Sequence, residues 1–467
     1  MRETEIVIVG AGPAGLAAAL EAAAAGAETL LIDEYHTLGG QFYKQVPEAF
    51  SLKDGRAEGA QYAEGAEIIQ RLRVGNVETL LDTLVWGIFD ERTLAIYRDG
   101  KTEQIRAGKL ILASGAQEAP VAFPGWTLPG VMLGGAAQAL MVNQRILPGE
   151  RVVLAGAGPL QLKVASQFIE AGAEVVDILE ASSKPPMSME NALRAFGHWG
   201  KMREGLEYWL KLKTAGAPYH HHQVPVRAAG HGELEAVVVA EVDADWRVIA
   251  GTERTLQADT LCLSYGFLPA NQLPRLVGCR MEFDPDSGGW VTQHDEHQET
   301  SRHGVYVAGE VGGIGGADVA EEEGRIAAMA AVQALGKGKG NGGRKAEEKT
   351  RARLAEARKF AQVTRDMMRL KPALFDLITD ETIVCRCEEV AAKAVRDAIA
   401  DGDPTVRGVK IRTRAGMGQC QGRICGSLVS RLIAKHTGVG LDRIEPDTPR
   451  PPVKPVPLSA LAAGVGR

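Results

Sequence analysis

Several things are scarce in this 467-residue chain, and each scarcity narrows its function. Basic residues do not dominate: 53 Lys and Arg stand against 59 Asp and Glu, a formal charge of −6, so no electrostatic footprint for nucleic acid exists. No apolar run approaches the roughly 20 residues that cross a bilayer. No transmembrane segment is expected, which leaves peripheral attachment to a membrane open. Strand-forming residues begin at Ile6 with no signal sequence ahead of them, and the expected location is the cytoplasm. Cysteines number six, too few and too unevenly spread for a secreted disulfide framework.

Glycine is plentiful, and it falls where strands end. Ile6-Val7-Ile8-Val9 reads as a buried strand, Gly10-Ala11-Gly12-Pro13-Ala14-Gly15 as a turn opening a helix, and Leu30-Leu31-Ile32 as a second strand running into Asp33-Glu34. Gly10 permits a tight turn, Gly12 lets backbone approach a pyrophosphate, and Gly15 lets helix and strand pack closely. The helix start at Pro13 and Ala14 turns free N–H groups and a positive dipole end towards phosphate. Asp33, with Glu34 beside it, stands where a carboxylate accepts from ribose hydroxyls. A glycine turn without ligand is the plainer alternative, but strand, helix and acid fall in register.

Three further stretches bear on the same ligand. Gly39-Gly40-Gln41 frees the backbone to run close to it, although alone the run reads as an ordinary loop. Leu110-Ile111-Leu112-Ala113 is a buried strand opening into Ser114-Gly115, where a cofactor would lie. Val305-Tyr306-Val307-Ala308 ends in Gly309-Glu310, and a glycine-rich turn from Gly312 to Gly316 opens another helix. That places a carboxylate at a second helix N-terminus, suited to a polyol hydroxyl. Only a long cofactor with ribityl and ADP ends, FAD, needs both stretches.

An echo follows: Arg151-Val152-Val153-Leu154-Ala155 leads into Gly156-Ala157-Gly158-Pro159-Leu160-Gln161, and a second strand ends at Leu179-Glu180. Gln161 replaces the third glycine and adds bulk where helix and strand nearly touch. An NAD or other adenine-nucleotide site and an unused fold both remain open there; NADPH is disfavoured, because no arginine cluster follows Glu180. His220-His221-His222 does not read as a metal site, because adjacent side chains on a strand face opposite ways. Cys262 has no cysteine neighbour, which argues against a redox dithiol beside a flavin. Pro120 to Gly130 crosses between domains. Pro185-Pro186 to Leu212 is a helical insertion whose Trp199, Tyr208 and Trp209 suit a core or a partner subunit, Gly336 to Gly343 is a flexible linker, and a docking helix follows.

Four cysteines cluster near the C-terminus, as Cys385-Arg386-Cys387 and Cys420-Gln421-Gly422-Arg423-Ile424-Cys425. Four thiolates at two chain turns suit a [2Fe–2S] cluster or a structural zinc equally by ligand type. The flavin-type domain upstream favours iron–sulfur. Gly416, Gly418 and Gly422 leave N–H groups free for sulfur, Lys410, Arg412, Arg414 and Arg423 offset thiolate charge, and Val409 to Arg414 is expected to be extended.

On these residues the chain resembles a known family. The carrying runs are Gly10 to Gly15, Gly39-Gly40-Gln41, Phe123-Pro124-Gly125-Trp126-Thr127-Leu128-Pro129-Gly130-Val131, Gly156 to Leu160, Ala308-Gly309-Glu310, Cys385-Arg386-Cys387-Glu388-Glu389 and Thr413 to Cys425. They resemble the α subunits of bacterial FAD-dependent heteromeric amine dehydrogenases: opine oxidases, hydroxyproline and proline dehydrogenases, and hydrogen cyanide synthase. The resemblance implies an α/β flavoprotein of the disulfide-reductase type with two Rossmann-like domains, the second inserted in the first, and a small, mainly helical [2Fe–2S] module like bacterioferritin-associated ferredoxin. The expected division is 1–119 with 253–335 for FAD, 120–252 for the inserted domain, 336–375 for linker and docking helix, 376–440 for the cluster and 441–467 for an extended proline-rich tail. Also implied are an amine-oxidising β flavoprotein partner, a small third subunit in some complexes, and in some an FMN between subunits.

The resulting expectation is an electron-transfer subunit, with an NAD(P)H-dependent flavin reductase as the alternative and a non-catalytic cysteine-module scaffold as a third reading. No residue stands out as a catalytic acid or base.

Overall fold

The computed structural model describes residues 1–46, 60–75, 77–182, 199–337 and 340–464. Pro185-Pro186 and the rest of 183–198 lie outside the described residues, as do 338 and 339 of the expected linker. The chain divides into two units: Met1–Gln117 with Leu268–Ala361 and the residues from Thr448 onward, and Glu118–Phe267 with Gln362–Asp447.

The first unit is built on a seven-stranded sheet. Arg2–Val9 lies between Thr29–Ile32 and Lys101–Leu112, parallel to both, and Val305–Val307 runs parallel to the far end of Lys101–Leu112. Where these strands pair in parallel, residues 6–9, Thr29–Ile32, 110–112 and Val305–Val307 are buried throughout, as a covered parallel sheet requires. The helix Pro13–Ala24 buries Leu16, Ala18, Ala19 and Ala22 against it, joined by Ala327, Ala328 and Ala331 of Ala317–Ala334. Alanine keeps both helices close. The docking helix runs from Gly340 to Met368, so regular structure begins inside the expected linker, and its Leu354 and Ala361 bury against Val319 and Ile326.

The proline-rich tail is not simply extended. Val453 is buried in the core of the first unit, its N–H donates to the Trp86 carbonyl at 2.8 Å, Thr102 donates to the Ala460 carbonyl at 3.0 Å, and Leu458–Gly464 is helical. Burying one valine and making one shielded backbone bond contributes about 2–3 kcal/mol; the half-exposed Lys454–Glu34 pair adds little. Truncation after Asp447 is therefore expected to lower the thermal midpoint by several degrees in differential scanning fluorimetry. An unchanged midpoint would show that the tail only rests on the surface.

The second unit has a five-stranded sheet in which Arg151–Gly156 lies between Glu174–Glu180 and Thr260–Ser264. Arg254–Gln257 and Thr260–Ser264 pair within this unit, and the chain re-enters the first unit at Leu268. The cysteine module also belongs here. Its Val384, Val395, Leu428 and Leu432, with Leu374 and Phe375 just ahead of it, share one continuous core with Val153, Leu179, Val237 and Leu263. Val409 to Arg414 is not extended: 409–413 belong to the helix Val406–Thr413, and Arg414 is its left-handed C-cap. Among the described residues no helix is long and apolar enough to cross a membrane.

Candidate functional site

Parallel pairing brings the carboxyl ends of the first unit's strands to one edge. There the Gly10 N–H donates to the Ile32 carbonyl at 2.8 Å, Ala113 to Val9 at 2.8 Å and Ala308 to Leu112 at 3.1 Å. The sequence-predicted stretches meet backbone to backbone. Gly39 donates to the Ala11 carbonyl at 2.9 Å, and a Cβ on Gly40, at φ +60°, would lie 2.6 Å from the Gly12 Cα. Gly309 packs against Ala14 and donates to the buried Glu323 carboxylate at 3.0 Å; Arg358 holds the other oxygen of Glu323 at 2.9 Å. A trough of bare backbone results, one that side chains would fill. It fits a pyrophosphate laid along it.

The two acids after Ile32 part company. Asp33 is buried, with one oxygen taking the Ala11 N–H at 2.5 Å and the other the Tyr35 N–H at 2.8 Å. Burial raises its pKa and the two N–H groups oppose the rise. Glu34 instead pairs with Lys454 of the tail. Ser114 spends its hydroxyl on the Ala270 carbonyl at 2.9 Å, and the Gly115 carbonyl accepts from Ala270. Gln41 is exposed and reaches the Tyr35 hydroxyl. Glu310 is half-buried in the short 3-10 turn Gly309–Val311, ahead of the helix Ala317–Ala334; loss of water raises its pKa, the Gly316 N–H opposes the rise and Glu323 adds to it. Lys454, Glu323 and Arg358 carry no local signal that sequence reading could have used.

In the second unit the matching acid is already satisfied. Glu180 is buried, and one of its oxygens accepts from the Gln161 amide at 2.5 Å, the Gly158 N–H at 3.2 Å and the Tyr219 hydroxyl at 3.2 Å. Ser182 binds the other oxygen through its N–H at 3.1 Å. Gln161 thus does more than add bulk: it occupies the carboxylate that a ribose would use. Gln161→Ala is expected to cost about 1–3 kcal/mol in denaturant unfolding, because it strips a donor from a buried charge. Unchanged stability would refute this pairing. The three histidines disperse as expected from strand geometry: His220 meets Asp177 at 2.8 Å, His221 meets the Ser182 carbonyl at 3.3 Å, and His222 leaves the strand at φ +55°.

The four clustered cysteines do come together. Cys385 ends the strand Ile383–Cys385, paired antiparallel with Val390–Ala391, and Cys425 opens the helix Cys425–Thr437. Sulfur hydrogen bonds link Cys385 to Cys425, Cys425 to Cys420, and Cys420 to Cys387. Cys385 and Cys425 are buried; Cys387 is exposed. The Cys425 S–H, helped by the N–H groups of Gly416, Glu388 and Cys387, holds Cys385 down to about 6. The same S–H, with Ile424 and Gly422 N–H groups, holds Cys420 down to about 5. Gly418 has no room for a side chain, since a Cβ would lie 2.3 Å from that of Cys387. A donor set of thiolates fed by backbone N–H groups fits iron–sulfur chemistry. Among the described residues no group of three or more His, Cys, Asp or Glu side chains is arranged for a single metal ion.

The nearby cations do not face the sulfurs as expected. Lys410 pairs with Asp447, Arg412 with Asp401 at 3.0 Å and Arg414 with Glu388 at 2.8 Å, while Arg423 donates to the Cys420 carbonyl at 3.1 Å.

A glycine-lined dinucleotide trough, a second fold of the same kind and a four-thiol module define a class. The chain belongs to the pyridine nucleotide-disulphide oxidoreductase family, whose model matches residues 4–324, and a BFD-like [2Fe-2S] binding domain matches residues 383–435. Nearly its whole length is similar to particular enzyme subunits. It is 32% identical to the A subunit of opine oxidase from Agrobacterium tumefaciens, over 98% of this chain and 91% of that one. Identity is 34% to the HcnB subunit of hydrogen cyanide synthase from Pseudomonas aeruginosa, over 97% of each. The crystal structure of L-proline dehydrogenase from P. horikoshii shares the fold at a TM-score of 0.71 and 21% identity, covering 98% of this chain and 79% of that one.

Proposed function

We propose that this chain is the electron-transfer subunit of a heteromeric flavin-dependent amine, opine or imino-acid dehydrogenase, taking electrons from a partner's flavin and passing them to a quinone or another acceptor. One observation carries the reading: a chain similar over nearly its whole length to subunits of opine oxidase and hydrogen cyanide synthase carries both a dinucleotide trough and a module whose four cysteines are linked in the order Cys385, Cys425, Cys420, Cys387. FAD supplies two-electron and one-electron chemistry when bound, and a [2Fe–2S] cluster supplies single-electron transfer.

The chain's own residues position these groups. Gly10, Gly12, Pro13, Ala14, Gly15 and Gly40 would line the pyrophosphate, Asp33 would serve a ribose, and Gly309 with Glu310 would serve the polyol. Ala113, Ser114, Gly115, Glu34 and Gln41 would complete the flavin site. Cys385, Cys387, Cys420 and Cys425 would hold the cluster, with backbone N–H groups donating to their sulfurs. Glu180, already held by Gln161 and Gly158, offers no free carboxylate for NAD.

The test is purification of the full complex and, in parallel, of this chain alone. The complex is expected to reduce a dye with an amine donor, whereas the single chain is expected to contain flavin and iron yet fail to oxidise amines. Anaerobic mixing with NADH or NADPH should leave the flavin oxidised. Rapid bleaching would overturn the assignment in favour of a reductase, and full amine oxidation by the single chain would overturn it too.

A further inference from the structure

Trp126 stands in the crossing segment, far in sequence from the cysteines. Its surroundings hold it rigidly. Gly125, at φ +82°, leaves no space between the segment and the strand Gln223–Ala229, since a Cβ there would lie 2.0 Å from the Ala228 carbonyl oxygen. The Ala228 N–H donates to the Pro124 carbonyl at 2.9 Å, Leu128 donates to Gly125 at 3.0 Å, and Leu234 donates to Pro129 at 2.9 Å. Trp126 itself is 2% exposed.

From this fixed position the indole grips the first cysteine turn at two points. Its N–H donates to the Ile383 carbonyl at 2.6 Å, two residues before Cys385. Its ring face carries the Arg386 guanidinium, 5.2 Å from the centroid, and Arg386 donates to the Thr127 carbonyl at 3.2 Å. Arg386 lies between Cys385 and Cys387. One aromatic side chain therefore brackets the turn that presents two of the four sulfurs, and it holds in place a cation that, unlike Lys410, Arg412 and Arg414, has a ring and a carbonyl as partners where those have carboxylates.

Resting on the cluster assignment above, we infer that Trp126 is a positioning residue for the iron–sulfur site, and that with Arg386 it sets the cluster's reduction potential. Two physical effects add. Reduction adds negative charge, so a guanidinium stacked in a fixed place favours the reduced form. The same turn supplies N–H groups of Cys387 and Glu388 to the Cys385 sulfur, and these too strengthen as the cluster gains charge. Release of Ile383 and Arg386 slackens both. The oxidised form, with less charge to stabilise, loses less.

The experiment is an EPR-monitored redox titration of the holoprotein, with iron, flavin and far-ultraviolet circular dichroism measured on each sample. Trp126→Phe removes the N–H and keeps a ring; Arg386→Gln removes the charge; Arg386→Lys keeps a cation over the ring. The first two are expected to lower the midpoint by about tenfold in the one-electron equilibrium constant, about 59 mV. Arg386→Lys should recover most of the shift. Should Trp126→Ala lose iron while keeping flavin and secondary structure, the clamp is supported in stronger form. Wild-type midpoints in Trp126→Phe and Arg386→Gln, with full iron, would overturn the inference. A wild-type protein without an iron–sulfur signal would instead overturn the cluster assignment beneath it.

Discussion

Cys425→Ser is expected to strip iron from the purified chain while leaving its flavin in place. Cys425 is 1% exposed and bonds to both Cys385 and Cys420, so it joins the two cysteine turns. Its two sulfur partners, and then burial, raise its pKa. Cys387 is raised as well, and a thiol must lose its proton before it can ligate a metal. A serine oxygen is smaller, harder and far less acidic. Loss of groups that merely orient a ligand already costs about 10–100-fold in metal affinity, so loss of a ligand sulfur should exceed that. Iron, sulfide and zinc per chain, measured beside flavin absorbance, decide the matter. Cys262→Ser is the control: that thiol is buried beneath the second sheet, where desolvation holds it protonated, and its replacement should leave iron unchanged. Full iron in Cys425→Ser would sink the ligand assignment, and zinc in place of iron would sink the redox role.

The second large effect lies at Gly15. A Cβ there would stand 1.7 Å from the Gly10 carbonyl oxygen and 3.5 Å from the Ile8 side chain. Relief requires the helix Pro13–Ala24 to lift from the strand Arg2–Val9, yet Ala14 is held from the other side: a Cβ on Gly324 would lie 2.1 Å from the Ala14 carbonyl. No direction is free. Gly15→Ala is therefore expected to cost about 3 kcal/mol or more, against a total of about 5–15 kcal/mol for an ordinary domain. Flavin content should fall with it, because the helix N-terminus proposed above to face the phosphates moves first. Denaturant unfolding and the flavin-to-protein absorbance ratio give the two readouts. Wild-type stability with full flavin would mean that the contact relaxes more easily than its geometry implies.

The second fold shows why the same position need not be glycine. Gly156 repeats Gly10: a Cβ on it would meet the Ser264 carbonyl at 2.0 Å, as one on Gly10 would meet Ala113 at 2.3 Å. Gln161 nevertheless stands where Gly15 stands, with its amide turned to Glu180. The motif's departure was legible in the sequence. Its use was not, because the partner acid lies on another strand and only packing aims the amide at it.

Other elements divide in the same way. Val409 to Arg414 alternates apolar and charged residues, a period that reads as a strand. The structure makes it a helix because Thr405 caps its start, accepting from the Gly408 N–H at 2.9 Å, and because Val406 and Val409, three apart, enter one core while Ile411 stays 62% exposed. Prolines from Pro446 to Pro457 correctly denied the tail a regular path up to Leu458. They said nothing of the groove that receives Val453.

Sequence by itself determined the glycine turns, the strands that run into them and the grouping of four cysteines at two turns. Each depends on backbone conformation or spacing within a few residues, which local residue types control. Only the tertiary structure decided that Asp33 accepts from the Ala11 and Tyr35 N–H groups, that Glu180 is already occupied, and that the cysteine module shares its core with the second fold. It alone placed Lys454 beside Glu34 and Trp126 beneath Arg386. These choices depend on which distant side chains fill a common volume or satisfy a common buried polar group, and that energy exists only once the segments have packed.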